Sequence, residues 1–218
     1  MNDSTSDPRA RGMLDLDALD FDKAAGLLCV IAQHHLTGEV LMLGYATREA
    51  LDRTLETGRL TFHSRSRDKL WTKGETSGNT LRVVSLHADC DRDAVLARVD
   101  PAGPTCHTGA RSCFQAPPPL RALADTLEAR RSAAEAGAAP AESYTVRLLA
   151  DRNHRLKKLG EEAVELAVAC ADGDAARVRE EGADLLYHVL VACAAEGVTV
   201  EDLLTVLADR AAPAEPRR

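Results

Sequence analysis

Three consecutive prolines, Pro117-Pro118-Pro119, cut this chain into two unlike textures. Proline lacks a backbone donor and fixes φ, so neither a helix interior nor a central strand runs through such a stretch. Ahead of the prolines the apolar residues fall in short runs and alternations. Behind them they recur at helical spacing. The expected class is therefore α+β: a β-rich domain over residues 13–115, a linker over 116–119, and an all-α domain over 120–218. Residues 1–12 (MNDSTSDPRARG) are polar and read as a disordered tail.

In the first part, residues 27–32 and 40–43 flank the turn pair Thr37-Gly38, which predicts a hairpin. Residues 48–56 have helical spacing and stop at Gly58. Residues 60–63, 81–86 and 94–99 read as strands. In the second part, residues 120–131, 143–171, 175–196 and 200–211 read as helices, with a small-residue loop over 132–141. Thr199 fits an N-cap for the last helix, with Asp202 three residues on.

Aromatic residues make up 3% of the chain against 45% apolar, so its cores must be aliphatic. The net charge of −7 disfavours binding to a phosphate backbone, and no nucleic-acid partner is expected. The polar start lacks the apolar core of a secretory signal, which predicts a cytoplasmic protein with reduced thiols. No apolar run approaches the roughly 18 residues of a membrane span. Of the six cysteines, Cys29, Cys170 and Cys193 sit in apolar surroundings and read as small core residues.

The other three lie where the chemistry concentrates. Asp89-Cys90-Asp91-Arg92-Asp93 alternates acids around a thiol, and Cys106 and Cys113 follow. If this segment is a strand, Asp89, Asp91 and Asp93 share one face and Cys90 points to the other. The oxygen cluster suits Mg²⁺ and the sulfur set suits Zn²⁺. Three thiolates would leave a fourth zinc position for water, although spacing alone leaves catalytic and structural zinc both open. A Cys90 facing away from Cys106 and Cys113 predicts a zinc site shared between two copies. Just upstream, Arg65, Arg67, Lys69 and Lys73 lie among glycines and hydroxyls, and Trp71 offers a ring on which a base can stack. Such a loop can hold phosphate. Within it Arg65, Arg67, Trp71, Lys73, Thr76, Ser77 and Asn79 are the substrate-binding candidates.

The helical part carries Glu161-Glu162-x-x-Glu165 and Glu181-x-x-Asp184. Acids three apart share a helix face, and two such helices can converge them on Mg²⁺. One acidic pair is usually just a solvated face. Two pairs on successive helices, after Arg152, His154, Arg155, Lys157 and Lys158, point to a metal site that grips a polyphosphate. Lys157 and Lys158 are the substrate-side candidates. His188, four residues after Asp184, is placed to orient that carboxylate or to be a half-buried helix residue.

The pieces TGEVLMLGY (37–45), SRSR (64–67), LWTKGETSGN (70–79), DCD-D (89–93) and GPTCHTG-RSCF (103–114) closely resemble phosphoribosyl-AMP cyclohydrolase. The resemblance implies a metal-dependent dimer that hydrolyses the N1–C6 bond of the adenine ring of N1-(phosphoribosyl)-AMP. It implies Mg²⁺ on Asp89, Asp91 and Asp93, and Zn²⁺ on Cys90, Cys106 and Cys113, shared between subunits. Phe62-His63 departs from the aromatic pair usual there, and Ala46-Thr47 from Met-Asn. His107, beside a zinc ligand and titrating near neutrality, is the proton-transfer candidate. The pieces SYTVRLLA (143–150), KKLGEEAVELA (157–167) and EEGADLLYHVLV (180–191) resemble phosphoribosyl-ATP pyrophosphohydrolase. That implies release of pyrophosphate with Glu162, Glu165, Glu181 and Asp184 as Mg²⁺ ligands, Glu161 an additional one, and a dimer of helices. The expected whole is a bifunctional hydrolase of histidine biosynthesis acting on phosphoribosyl nucleotides. The rivals are the same architecture with one inactive domain, and a non-catalytic zinc-stabilised nucleotide-binding protein.

Overall fold

A computed structural model describes residues 14–138 and 142–211, so the expected disordered tail over 1–12 lies outside the described residues. The chain divides into two units between Pro118 and Pro119.

The first unit begins with two 3₁₀ turns, Leu16–Ala18 and Asp22–Ala24, and continues through β1 (Leu28–His34), β2 (Val40–Ala46) and α1 (Arg48–Thr57). Then come β3 (Thr61–Ser64), β4 (Lys69–Thr72), β5 (Leu81–Ala88) and β6 (Ala94–Pro101). Four strands form a sheet in the order β2-β1-β6-β5, and β3 pairs with β4 in a separate ribbon. β1 runs antiparallel to β2 but parallel to β6, with Val30 opposite Val95 and Ala32 opposite Ala97. Alternation places Leu28, Val30 and Ala32 of β1, and Val95, Ala97 and Val99 of β6, in one aliphatic core. Leu51 of α1 and Phe62 of β3 close that core. α1 starts at Thr47, whose hydroxyl accepts from the Ala50 N–H, and ends at Gly58 in the left-handed region (φ 67°). A Cβ on Gly44 would lie 2.4 Å from the Phe62 ring, so glycine lets β2 pass over it.

The opposite sheet face is also apolar. Ile31 pairs with Leu43 on one side and Leu96 on the other, and Leu43 is 42% exposed.

The second unit holds α2 (Pro119–Glu135), α3 (Tyr144–Ala150), α4 (Arg152–Asp172), α5 (Ala175–Ala195) and α6 (Val200–Ala211). Leu127, Leu148, Leu190, Val191 and Val200 form its core. Val164, Val168 and Leu186 remain exposed on α4 and α5. Among the described residues no helix is long and apolar enough to cross a membrane.

Five expectations are corrected. Residues 89–93 are the turn between β5 and β6, not strand: the ladder ends at Ala88–Val95, and Arg92 takes a left-handed φ of 65°. β4 lies inside what reads as a phosphate loop. Pro119 begins α2 instead of ending a linker, because the first helical N–H has no partner to lose. The helix expected over 143–171 breaks at Asp151, whose carboxylate accepts from the His154 N–H and starts α4. α2 also extends to Glu135, shortening the expected loop, of which 139–141 lie outside the described residues.

Candidate functional site

In the first unit the β5–β6 turn folds three aspartates together. Asp89 closes the turn by donating its N–H to Ala94 O at 3.1 Å and accepting the Ala94 N–H on Oδ1 at 3.1 Å. One oxygen each from Asp89, Asp91 and Asp93 lie within 4.8 Å of one another. Lys23 reaches this cluster from the second 3₁₀ turn, and its ammonium holds the Asp91 carboxyl below the usual carboxylate range. Three carboxylate donors at this spacing fit a hard divalent ion.

Cys106 and Cys113 sit on the loop after β6. The loop is tightened by Cys106 N–H donating to Ala110 O at 2.9 Å and Gly109 N–H to Cys106 O at 3.1 Å. It is fastened to β2 by Ser112 Oγ donating to Val40 O at 2.7 Å and Cys113 N–H to Leu41 O at 2.8 Å. Arg111 Nε reaches Glu39 Oε2 at 2.6 Å, where Glu39 is buried. The Thr108 hydroxyl donates to Cys106 Sγ at 3.1 Å and lowers that thiol's pKa, favouring thiolate. Partial desolvation and the neighbouring Cys106 sulfur push the Cys113 thiol up. Two close sulfurs with one biased toward thiolate fit a soft or borderline cation such as zinc. Cys90 stays in the aspartate turn, its Sγ 4.0 Å from Asp91 Oδ1, and forms no three-residue cluster with the other two thiols.

A cavity of about 570 Å³ joins the basic loop to the cysteine loop. It brings Arg67, Trp71, Lys73, Thr76, Ser77 and Asn79 to the same space as Cys106, His107 and Cys113. The loop needs Gly74: at φ +83° a Cβ there would lie 2.3 Å from the Asn79 backbone. Lys73 Nζ donates to Asn79 O at 3.2 Å, and Trp71 stacks on Phe62 with centroids 5.1 Å apart. Arg65 does not line the cavity; its guanidinium covers the Tyr45 ring at 3.9 Å. His107 is exposed, with Nδ1 3.9 Å from Cys106 Sγ. Sequence reasoning missed Thr105, whose buried hydroxyl has no partner and whose residue lines the cavity. It also missed Thr108 and Lys23. Only the spacing of Thr108, two residues after a cysteine, hinted at its part.

In the second unit α4 and α5 place oxygens of Glu162, Glu165 and Glu181 within 4.8 Å. Asp184 is exposed and outside that triplet. The Glu181 charge raises the Glu165 pKa, as expected for carboxylates that crowd without a cation. The donor set fits a divalent ion. Lys158 Nζ lies 2.5 Å from Glu162 Oε1 and 3.3 Å from Glu161 Oε2, and Lys157 pairs with Glu161 at 3.2 Å. Arg155 turns inward instead of toward a ligand and donates to the Leu148 and Leu149 carbonyls at 3.0 and 2.9 Å. His188 is buried with Nε2 3.8 Å from Glu162 Oε1, so it faces Glu162 more directly than the Asp184 expected from spacing. Burial lowers its pKa.

Residues 42–115 match the family model described as phosphoribosyl-AMP cyclohydrolase, and residues 120–211 match phosphoribosyl-ATP pyrophosphohydrolase. The class is therefore a fusion of two hydrolase units. The chain is 47% identical over 194 residues to the "Histidine biosynthesis bifunctional protein HisIE" of Escherichia coli (strain K12), covering 87% of this chain and 92% of that protein. It is 44% identical over 200 residues to the protein of that name from Shewanella oneidensis, covering 90% and 92%. The Bacteroides thetaiotaomicron protein of that name is 45% identical over 198 residues, covering 88% and 95%. The chain belongs to this family of bifunctional histidine biosynthesis proteins.

Proposed function

We propose that the chain catalyses two successive hydrolyses of histidine biosynthesis, with residues 120–218 releasing pyrophosphate from phosphoribosyl-ATP. Residues 13–115 then open the N1–C6 bond of the adenine ring in the phosphoribosyl-AMP so formed. The observation that carries this reading is the pairing of a basic, tryptophan-walled cavity with two cysteines in one unit, and a three-glutamate cluster in the other.

In the first unit Arg67 and Lys73 neutralise phosphate while Thr76, Ser77 and Asn79 orient the ribose-phosphate. Trp71 packs against the base. Cys106 and Cys113 hold zinc together with Cys90 of a second copy, since Cys90 does not join them within one chain. Zinc held there supplies Lewis acidity that brings the pKa of water toward neutrality. His107 moves the proton between the attacking water and the ring, and the exposed Thr108 hydroxyl favours the thiolate of Cys106. Asp89, Asp91 and Asp93 hold Mg²⁺. Arg65, over Tyr45, acts from outside the cavity.

In the second unit Glu162, Glu165 and Glu181, with Asp184 and Glu161 beside them, hold Mg²⁺ against the triphosphate. Lys157 and Lys158 exchange carboxylate for phosphate when the nucleotide binds. The protein is a cytoplasmic homodimer. The apolar row Leu43, Ile31 and Leu96, and the exposed Val164, Val168 and Leu186, support an association of copies.

The test supplies phosphoribosyl-ATP with Mg²⁺ and Zn²⁺ and follows pyrophosphate and the ring-opened aminoimidazole carboxamide together. Both products are expected. Pyrophosphate alone would refute ring opening, and neither product would overturn the bifunctional reading.

A further inference from the structure

The second 3₁₀ turn, Asp22–Ala24, carries a cation of the chain's own onto the aspartate turn. Lys23 Nζ lies 2.5 Å from Asp91 Oδ2 and 3.1 Å from Asp93 Oδ2. One backbone bond and two side-chain bonds fix this approach. Asp20 N–H donates to Arg92 O at 2.9 Å, Lys23 N–H donates to Asp20 Oδ1 at 3.1 Å, and the Arg92 guanidinium reaches back to Ala18 O at 3.5 Å. The turn that bears the acids and the turn that bears the lysine are thus docked on each other, and the ammonium is delivered to Asp91 and Asp93, two of the three clustered carboxylates.

We infer that Lys23 is an intramolecular counter-ion that a divalent cation must displace, and so sets the affinity and charge selectivity of the aspartate site. The inference rests on the reading of Asp89, Asp91 and Asp93 as metal ligands. Three carboxylates at this spacing repel one another, and an ammonium among them relieves that repulsion. A monovalent ion that replaced it would exchange one unit charge for another and gain nothing. A divalent ion gains one charge, so the lysine filters by valence. Lys23 is a positioning residue here, since it acts through the carboxylates. A plain surface ion pair predicts something else. Its loss would cost little stability and would leave ion binding unchanged or weakened by a loosened turn.

The test is a Mn²⁺ titration of the full-length protein followed by backbone-amide NMR. Paramagnetic broadening of the Ala94 amide, which donates to Asp89 Oδ1, reports the aspartate site, and broadening of the Glu165 amide, followed in parallel, reports the helical glutamates. Lys23→Gln is expected to reach half-broadening at about tenfold lower Mn²⁺, and Lys23→Arg to stay near the unsubstituted protein. Half-broadening of Lys23→Gln at equal or higher Mn²⁺ overturns the counter-ion while leaving the metal reading intact. No broadening of Ala94 in either protein overturns the metal reading and the counter-ion with it.

Discussion

The two clusters each bring three carboxylate oxygens within 4.8 Å of one another but are built by opposite means. In the first unit five consecutive residues suffice, because a turn closed by Asp89 and Ala94 folds its own acids together. In the second unit Glu162 and Glu165 of α4 meet Glu181 of α5, so the cluster exists only while two helices are packed. Each has a lysine against it, Lys23 in one and Lys158 in the other. A local cluster depends on its turn, and a tertiary cluster depends on a core. The two should therefore fail under different insults.

The largest expected effect is a clean separation of activities. Glu181→Gln should lower pyrophosphate release at least about a thousandfold while ring opening of supplied phosphoribosyl-AMP continues, and Cys106→Ser should do the reverse. Loss of both activities in either variant would break the independence of the units.

Next come the stabilities. Leu148 is fully buried among the helices, and Leu148→Ala should cost about 2–5 kcal/mol. Trp71 is the only tryptophan and belongs to the first unit, so its fluorescence in urea should not register that loss while far-ultraviolet circular dichroism does. Gly74→Ala should do the opposite, moving the Trp71 transition by about 2 kcal/mol, because the added Cβ meets the Asn79 backbone at a positive φ.

Acid should separate the clusters more gently. Glu165 has a raised pKa because Glu181 stands beside it, so it takes up a proton above the ordinary 4.5. Asp91 has a lowered one because Lys23 holds it. As pH falls, Mn²⁺ should leave the helical cluster before the aspartate turn, as read by amide broadening at Glu165 and Ala94. Release in the opposite order would contradict the assigned environments. The smallest effect concerns a thiol. Without the hydroxyl that favours thiolate, Thr108→Val should slow iodoacetamide alkylation of Cys106 in zinc-free protein by a few-fold at neutral pH, with the pH–rate profile shifted upward.

Much of this contrast is legible in the sequence. The β1–β2 hairpin announces itself through Thr37-Gly38, and the acids of α4 and α5 through their spacing of three. The cysteine, aspartate and glutamate residues of both candidate sites carry their chemistry in residue type. What stayed hidden depends on three-dimensional closure. The strand reading of 89–93 failed because alternation cannot register a backbone bond between Asp89 and Ala94 or the left-handed Arg92. Asp151 splits a helix without glycine or proline, by offering its carboxylate to His154. Lys23 sits in a short 3₁₀ turn with no periodic signal, and only folding brings it 68 residues along the chain to Asp91. Arg155 looked like a substrate charge and serves carbonyls of α3.

The parallel pairing of β1 with β6 has a consequence for synthesis on the ribosome. β1 is the first strand made, and its inner neighbour is the last. The sheet cannot close until Pro101 has cleared the exit tunnel, and until then Leu28, Val30 and Ala32 wait beside a vacant edge. Such long-range closure is slow and exposes aggregation-prone strands. The helices that follow close their own backbone bonds locally, although Leu127 of α2 must also wait for Leu190 and Val191 of α5, so nascent chains should be most dependent on chaperones in the interval between β1 and β6.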